Sequence, residues 1–196
     1  MFEEFPESFV KARRIFYILA FAVIMTGTAA GAFFLIYRYS GSDDIRSYLG
    51  GVTERFTGGL DRKNVILSAA KDSAVVLAVF FICGFVKPGV FVIAAELARR
   101  GFVTGFTVAA FIEYYSGKGI LLAACMLPGA AILIPALAMV GSVNAAIAVN
   151  GAERTKNFWM FYIFFLLASA SIFCAFAICE GFLTTTFMKW ASLRVT

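Results

Sequence analysis

Apolar residues in this chain gather into long runs, and most charged residues lie in the stretches between them. Five runs stand out: Ile15–Tyr37, Ser73–Ala98, Gly101–Tyr115, Ile120–Asn150 and Phe158–Cys179. Most approach or exceed the roughly 20 residues that a helix needs to cross a bilayer. A chain of 196 residues has no core large enough to hide so much apolar sequence. The pattern predicts an all-α polytopic membrane bundle of about five transmembrane helices, built as one integral membrane domain over residues 1–196.

The runs are irregular. Lys87-Pro88-Gly89 interrupts the second, which is read either as a broken helix or as two shorter pieces, the latter preferred. The third is short, so Arg99, Arg100 and Glu113 are expected to reach toward the headgroups at its two ends. The fourth exceeds one crossing. It is either a tilted, kinked helix or a helix followed by a partly re-entrant piece.

Between the first two runs lies the longest polar stretch, 38–72. Within it Ile45, Tyr48, Leu49, Val52 and Phe56 recur at helical spacing, with Asp43 placed to cap the start and Gly58-Gly59 the end. This predicts a short amphipathic helix that lies on the membrane or covers the bundle. A sharper alternative is a docking surface made by Arg46, Tyr48, Arg55 and Phe56. From about Asn64 the chain is expected to enter a helix continuous with the second run.

Basic residues set the expected orientation. Lys11, Arg13 and Arg14 precede the first run, Arg99 and Arg100 separate the second from the third, and Arg154 and Lys156 precede the fifth. With five crossings these groups share one face, which is assigned to the cytoplasm. The N-terminus is then inside, and the amphipathic 38–72 loop, the Ser116–Gly119 turn and the C-terminus are outside. Ile15–Tyr37 is too long for a signal-peptide core and ends without a cleavage pattern, so it is expected to remain as the first span.

Composition sharpens the class. Hydrophobic residues make up 61% of the chain, 23 of them phenylalanine, against roughly 45–50% apolar usage in soluble domains. The net charge of +5 suits anionic lipid headgroups as partners. The bases form no patch, which argues against nucleic acid. Cys83, Cys125, Cys174 and Cys179 all lie in apolar sequence, where they act as small hydrophobic residues. Histidine is absent, and with it the commonest general base and metal ligand. Ser142, Ser169 and Ser171 have no activating partner in the sequence, and no phosphate-binding glycine loop or zinc pattern occurs. No catalytic residue, cofactor or metal is expected, and the chain is read as a non-enzyme.

The remaining signals concern packing and buried charge. Gly27 and Gly31, and Gly101 and Gly105, both fit the small-xxx-small spacing that lets helix backbones meet in lipid, within one chain or in a homo-oligomer. Pro88, Pro128 and Pro135 are candidate kinks. Lys87, Glu113 and Glu180 are the ionisable groups in or beside apolar sequence. Glu113, followed by Tyr114-Tyr115, reads as an interfacial anchor near Lys118. With the prolines these charges support an alternative function, a small transporter or channel subunit, in which Glu113 and Glu180 approach each other at the outer face.

Several of these segments together resemble the stage II sporulation protein M family. The likeness is carried by Gly101-Phe-Val-Thr-Gly105-Phe-Thr-Val-Ala-Ala-Phe111, Gly119-Ile-Leu-Leu-Ala-Ala, Leu127-Pro128 and Ile134-Pro135-Ala136, with the Gly27–Gly31 helix, the Ile45–Phe56 stretch and Glu180-Gly181-Phe182 in support. Where the family pattern has Gln-Asn after the proline, this chain has Gly129-Ala130. The resemblance implies a membrane scaffold that localises septal peptidoglycan hydrolases, the stage II sporulation proteins D and P, during forespore engulfment. It also implies a place in the sporulation septum and the engulfing mother-cell membrane.

Overall fold

The computed structural model describes residues 7–39, 45, 47, 49, 62–150, 156–184, 186 and 187. The described residues are helical apart from one turn. Helix α1 is Glu7–Tyr39, α2 is Arg62–Cys83, α3 is Gly89–Asn150 and α4 is Lys156–Cys179, which ends in a π-helical turn, Glu180–Thr184. Among the described residues, four stretches are long and apolar enough to cross a membrane: Lys11–Tyr39, Lys63–Cys83, Pro128–Val149 and Phe158–Phe182. The chain is a helical, multi-pass membrane protein.

Helix α3 has 62 residues. Drawn straight it would extend about 93 Å at 1.5 Å per residue, three times the apolar thickness of a bilayer. Instead it doubles back. A Cβ on Gly119 would overlap the carbonyl of Phe111, and one on Gly141 would touch Ile93 and Leu97, each at 3.3 Å. Phe111 also shares a buried cluster with Leu122, Ala123 and Cys125. The first arm, 89–115, and the second arm, 119–150, are therefore antiparallel. The reversal falls at the Ser116–Gly119 segment, and Gly119 lets the second arm pass directly against the Phe111 backbone. Residues 120–150 run as one helix through Pro128 and Pro135, moving steadily down the bundle: Gly119 lies against Phe111, Gly141 against Leu97 and Ile93, and Asn144 against Gly84.

The first two apolar runs are divided differently from the sequence expectation. Helix α2 ends at Cys83, and the chain reverses over Gly84–Pro88, held by Gly84 N to Phe80 O at 2.9 Å and Gly89 N to Val86 O at 2.8 Å. The Lys87-Pro88 break is thus the turn between two helices. Arg99 and Arg100, expected to form a turn between the second and third runs, lie inside the first arm of α3. That expectation is corrected. Proline explains where the break falls: it cannot donate to the preceding turn, and it suits the first residues of a new helix.

Contacts fix the direction of each rod. Gly27 meets Ala98 and Gly31 meets Phe102, so α1 and the first arm are parallel. Arg100 reaches Asp72, and Phe80 packs with Ile93 in the main core, so α2 is antiparallel to that arm. Tyr162 bonds to Phe81 and Gly181 meets Ile66, so α4 is antiparallel to α2. Five rods alternate up and down, with the second arm the most enclosed: 61% of its apolar window is buried, against 22% for α1. The main core joins Ile24, Phe80, Leu97, Leu137, Ala146 and Phe165. A second cluster, where α1 ends, joins Leu35, Phe111 and Leu122 with Leu49 and Ile45.

Candidate functional site

Charge at mid-span is the most unusual feature of the bundle. Gly27, near the middle of the Lys11–Tyr39 span, faces Ala98. Glu96, Arg99 and Arg100 therefore sit near mid-depth of the bundle, where isolated charge is costly. Helical spacing places both arginines one turn beyond Glu96 on its own side of the helix. Arg99 Nε donates to Glu96 Oε2 at 2.7 Å, its Nη2 donates to Oε1, and Arg100 Nε donates to Oε1 at 3.3 Å. One carboxylate thus holds two guanidinium groups.

Arg100 continues across to α2, where its Nη2 donates to the Asp72 carbonyl at 3.3 Å. Beside it a cleft of about 370 Å³ opens between α2, α3 and α4. Its polar lining is Asn64, Ser68, Asp72 and Ser73 from α2, Arg100 from α3 and Glu180 from the end of α4. Val65, Ala69, Leu133 and Phe176 supply the apolar wall. Arg100 and Asp72 are the charges that act on Glu180 across this space. Glu180 is carried there by the π-helical turn, which seats Gly181 directly against Ile66; a Cβ on Gly181 would overlap the Ile66 side chain.

A second polar group locks the Gly84–Pro88 turn. Phe85 N turns to Ile82 O, which leaves the Phe81 carbonyl without its helical partner. The Tyr162 hydroxyl donates to that carbonyl at 2.7 Å and lies 3.1 Å from Asn144 Oδ1, while Asn144 Nδ2 donates to Val140 O at 2.9 Å. Gly84 is pressed into this knot, 2.7 Å from Asn144 Oδ1 to its would-be Cβ. The hydroxyls of Thr28, Thr104 and Thr107 are satisfied on their own helices, by Ile24, Arg100 and Val103 carbonyls.

The structure distributes the sequence candidates over separate places. Gly27, Gly31, Gly101 and Gly105 all lie in the contact between α1 and the first arm of α3: a Cβ on any of them would overlap backbone of the facing helix, at Ala98, Phe102, Ile24 and Thr28 respectively. Glu180 lies in the cleft. Lys87 and Pro88 are exposed in the turn at one end, and Glu113 is exposed near the other, where Tyr114 donates its hydroxyl to the Tyr39 carbonyl at 2.7 Å. Glu113 does not line the cleft, so it and Glu180 do not form a shared site there. Arg46, Tyr48, Arg55 and Phe56 lie outside the described residues, as does the side chain of Lys118. Their neighbours Ile45, Ser47 and Leu49 are helical, with Leu49 buried against the second cluster.

Glu96, Asp72 and the Tyr162–Asn144 pair escaped the sequence reading. The Glu96-xx-Arg99-Arg100 spacing was a usable signal, since three and four residues bring opposite charges together on a helix. No group of three or more acidic, histidine or cysteine side chains able to hold a metal ion occurs among the described residues.

The family model described as Stage II sporulation protein M matches residues 20–185. No curated protein and no solved structure matches the chain. The matched span takes in the paired glycines, the charged trio, the cleft and the π-helical turn.

Proposed function

Because the chain belongs to the stage II sporulation protein M family, and is thus a sporulation-related multi-pass membrane protein, we propose that it is a non-enzymatic scaffold for septal peptidoglycan hydrolases. In this reading it anchors stage II sporulation proteins D and P in the septum and in the engulfing mother-cell membrane. The observation that carries the reading is the seat of Ile45 and Leu49. Ile45 and Leu49 pack onto Leu35, Phe111 and Leu122 at the end of the bundle opposite Lys87. Ile45 and Leu49 thereby tie the chain between the first two spans to one end of the bundle, and the proposal assigns that end to the extracytoplasmic face, where a hydrolase acting on the wall would be held. Lipids complete its surroundings, and neither cofactor nor nucleic acid enters the proposal.

The test is recovery of stage II sporulation proteins D and P with the full-length protein after detergent extraction. Arg46→Glu, Arg55→Glu, Tyr48→Asp and Phe56→Asp are expected to lower recovery severalfold at unchanged expression. Unaltered recovery in all four removes these residues from the binding site.

The cleft beside Arg100 supports a second reading, a small transporter or channel subunit. It draws on Glu180, Asp72 and Arg100, whereas Lys87 and Glu113 lie elsewhere. Reconstituted protein should then pass a solute or protons in a manner abolished by Glu180→Gln. Absence of flux together with hydrolase recovery decides for the scaffold.

A further inference from the structure

Helix α2 sends Val76, Leu77 and Phe80 into the core and leaves Leu67, Val75 and Ile82 exposed on its outer side. Lys71 and Asp72 are exposed there as well. Lys71 stands two residues, about 3 Å, from the middle of the Lys63–Cys83 span. The nearer end of that span is about 12 Å away, beyond the reach of a lysine side chain, so the ammonium is held within the apolar layer. Neither charge is paired within its own chain. Both ion pairs among the described residues end on Glu96, and Lys71 has no ion pair or hydrogen bond among them. Arg100 donates to the Asp72 backbone carbonyl, not to its carboxylate, and Arg99 feels the Asp72 charge while bound to Glu96. Adjacent residues point about 100° apart around a helix, so Lys71 and Asp72 do not close on each other.

An ammonium and a carboxylate exposed to lipid at one depth each call for a counter-charge. A foreign helix would have to present an acid and a base at that same level. A second copy of this chain does so by construction. Two copies inserted the same way are related by a two-fold axis along the membrane normal, which sets α2 parallel to α2 of the other copy with equal depths side by side. Ser68, Val75 and Ile82 are exposed and recur every seven residues, which makes them one line along the helix. Lys71 and Asp72 fall on opposite sides of that line. With the line on the axis, Lys71 of each copy comes beside Asp72 of the other, and the pair is made twice. A seam through Lys71 itself would instead oppose two ammonium groups. We infer that the outer face of α2 is the interface of a parallel two-fold dimer, closed by reciprocal Lys71–Asp72 ion pairs between the copies. Gly27, Gly31, Gly101 and Gly105 are already used within the chain, so the dimer does not draw on them. The inference does not depend on the scaffold reading.

The experiment places the full chain, in a cysteine-free background, in phosphatidylcholine vesicles. On mild oxidation Ser68→Cys, Val75→Cys and Ile82→Cys are expected to give a disulfide-linked dimer on a non-reducing gel. Leu67→Cys, exposed on another side of α2, and Met25→Cys, exposed at similar depth on α1, should not. Energy transfer between donor- and acceptor-labelled copies, labelled through Lys87→Cys and diluted in lipid, reads the association itself. Lys71→Asp is expected to weaken it roughly tenfold or more. Adding Asp72→Lys to Lys71→Asp restores opposite charges across the axis and should recover most of the transfer, which a role of either residue within its own chain would not produce. The cysteine series keeps Lys71 and Asp72 and tests the face without any charge variant that must insert. Equal linking at Val75→Cys and Leu67→Cys, or transfer no greater than random proximity predicts at every dilution, overturns the inference. So does a charge-swapped chain that inserts but stays dispersed. Linking of Val75→Cys to a different protein in native membranes, with no self-linked band, assigns the face to another partner and overturns it as well.

Discussion

The Tyr162 hydroxyl governs how α2 can end. The Phe81 carbonyl it satisfies has lost its helical donor, and no water is at hand in an apolar core to replace it. Tyr162→Phe is expected to cost about 1–2 kcal/mol, read from unfolding in mixed detergent and SDS. Trp159 offers a local probe, because its ring stacks on Phe85 in the turn itself at 5.7 Å. An unchanged midpoint would mean that the carbonyl finds another donor. Gly105 acts through the absence of a side chain: Gly105→Leu would drive carbon into the Thr28 carbonyl, with neither backbone free to yield. The same assay should show a loss of about 3 kcal/mol, and a tolerated leucine would contradict the close approach of α1 and α3. These residues differ in how far the sequence announces them. A pair of glycines four apart is a local signature. Tyr162 and Asn144 are single polar residues in apolar runs, and the hydrogen bond that explains Tyr162 reaches back 81 positions.

At the scale of elements, hydropathy found the apolar runs but misplaced one boundary. Ile120–Asn150 was legible as a helix, and Ser116–Gly119 as a turn, because charge and glycine coincide there. Arg99-Arg100 misled for the opposite reason: two adjacent bases between apolar runs have the composition of a loop. Glu96, one turn earlier, neutralises part of that charge and keeps the segment helical inside the bundle. Lys87-Pro88 was the true boundary, signalled by proline more than by charge. The hairpin form of α3 is directly testable in a cysteine-free background. Ile93→Cys with Gly141→Cys should form a disulfide on mild oxidation, seen as faster migration on a non-reducing gel. In a straight helix the two positions would be roughly 70 Å apart, so absence of the cross-link would rule out the folded-back arrangement. The trio makes a second prediction at this scale. Glu96→Gln leaves Arg99 and Arg100 without their carboxylate and should cost on the order of 2 kcal/mol, whereas adding Arg99→Gln should restore part of it.

Across the whole molecule, five alternating rods place the two ends of the described chain at opposite ends of the bundle. Four rods are apolar enough to cross a membrane by themselves. The fifth, the first arm of α3, carries Glu96, Arg99 and Arg100 and is held at that depth by α1, α2 and the second arm. Such a rod is a poor candidate for independent insertion, since each mid-span charge opposes it, but a good one for entry as a hairpin with its apolar partner. The arrangement fixes which positions share a face. Lys87, in the turn after α2, lies at the same end as the start of α1, and Glu113 lies at the other end beside Tyr39. Single cysteines at Lys11 and Lys87 should therefore react with an impermeant maleimide from the same side of sealed vesicles, and a cysteine at Glu113 from the other. A turn at Arg99-Arg100 would instead expose a cysteine at Arg99 together with Lys11, with labelling comparable to that at Lys87. In the bundle described here Arg99 is paired with Glu96 at mid-depth, so Arg99→Cys should label much more slowly than Lys87→Cys from either side. Equal rates at the two positions would put the charged trio at the membrane surface, and with it the cleft that Arg100 shares with Asp72 and Glu180.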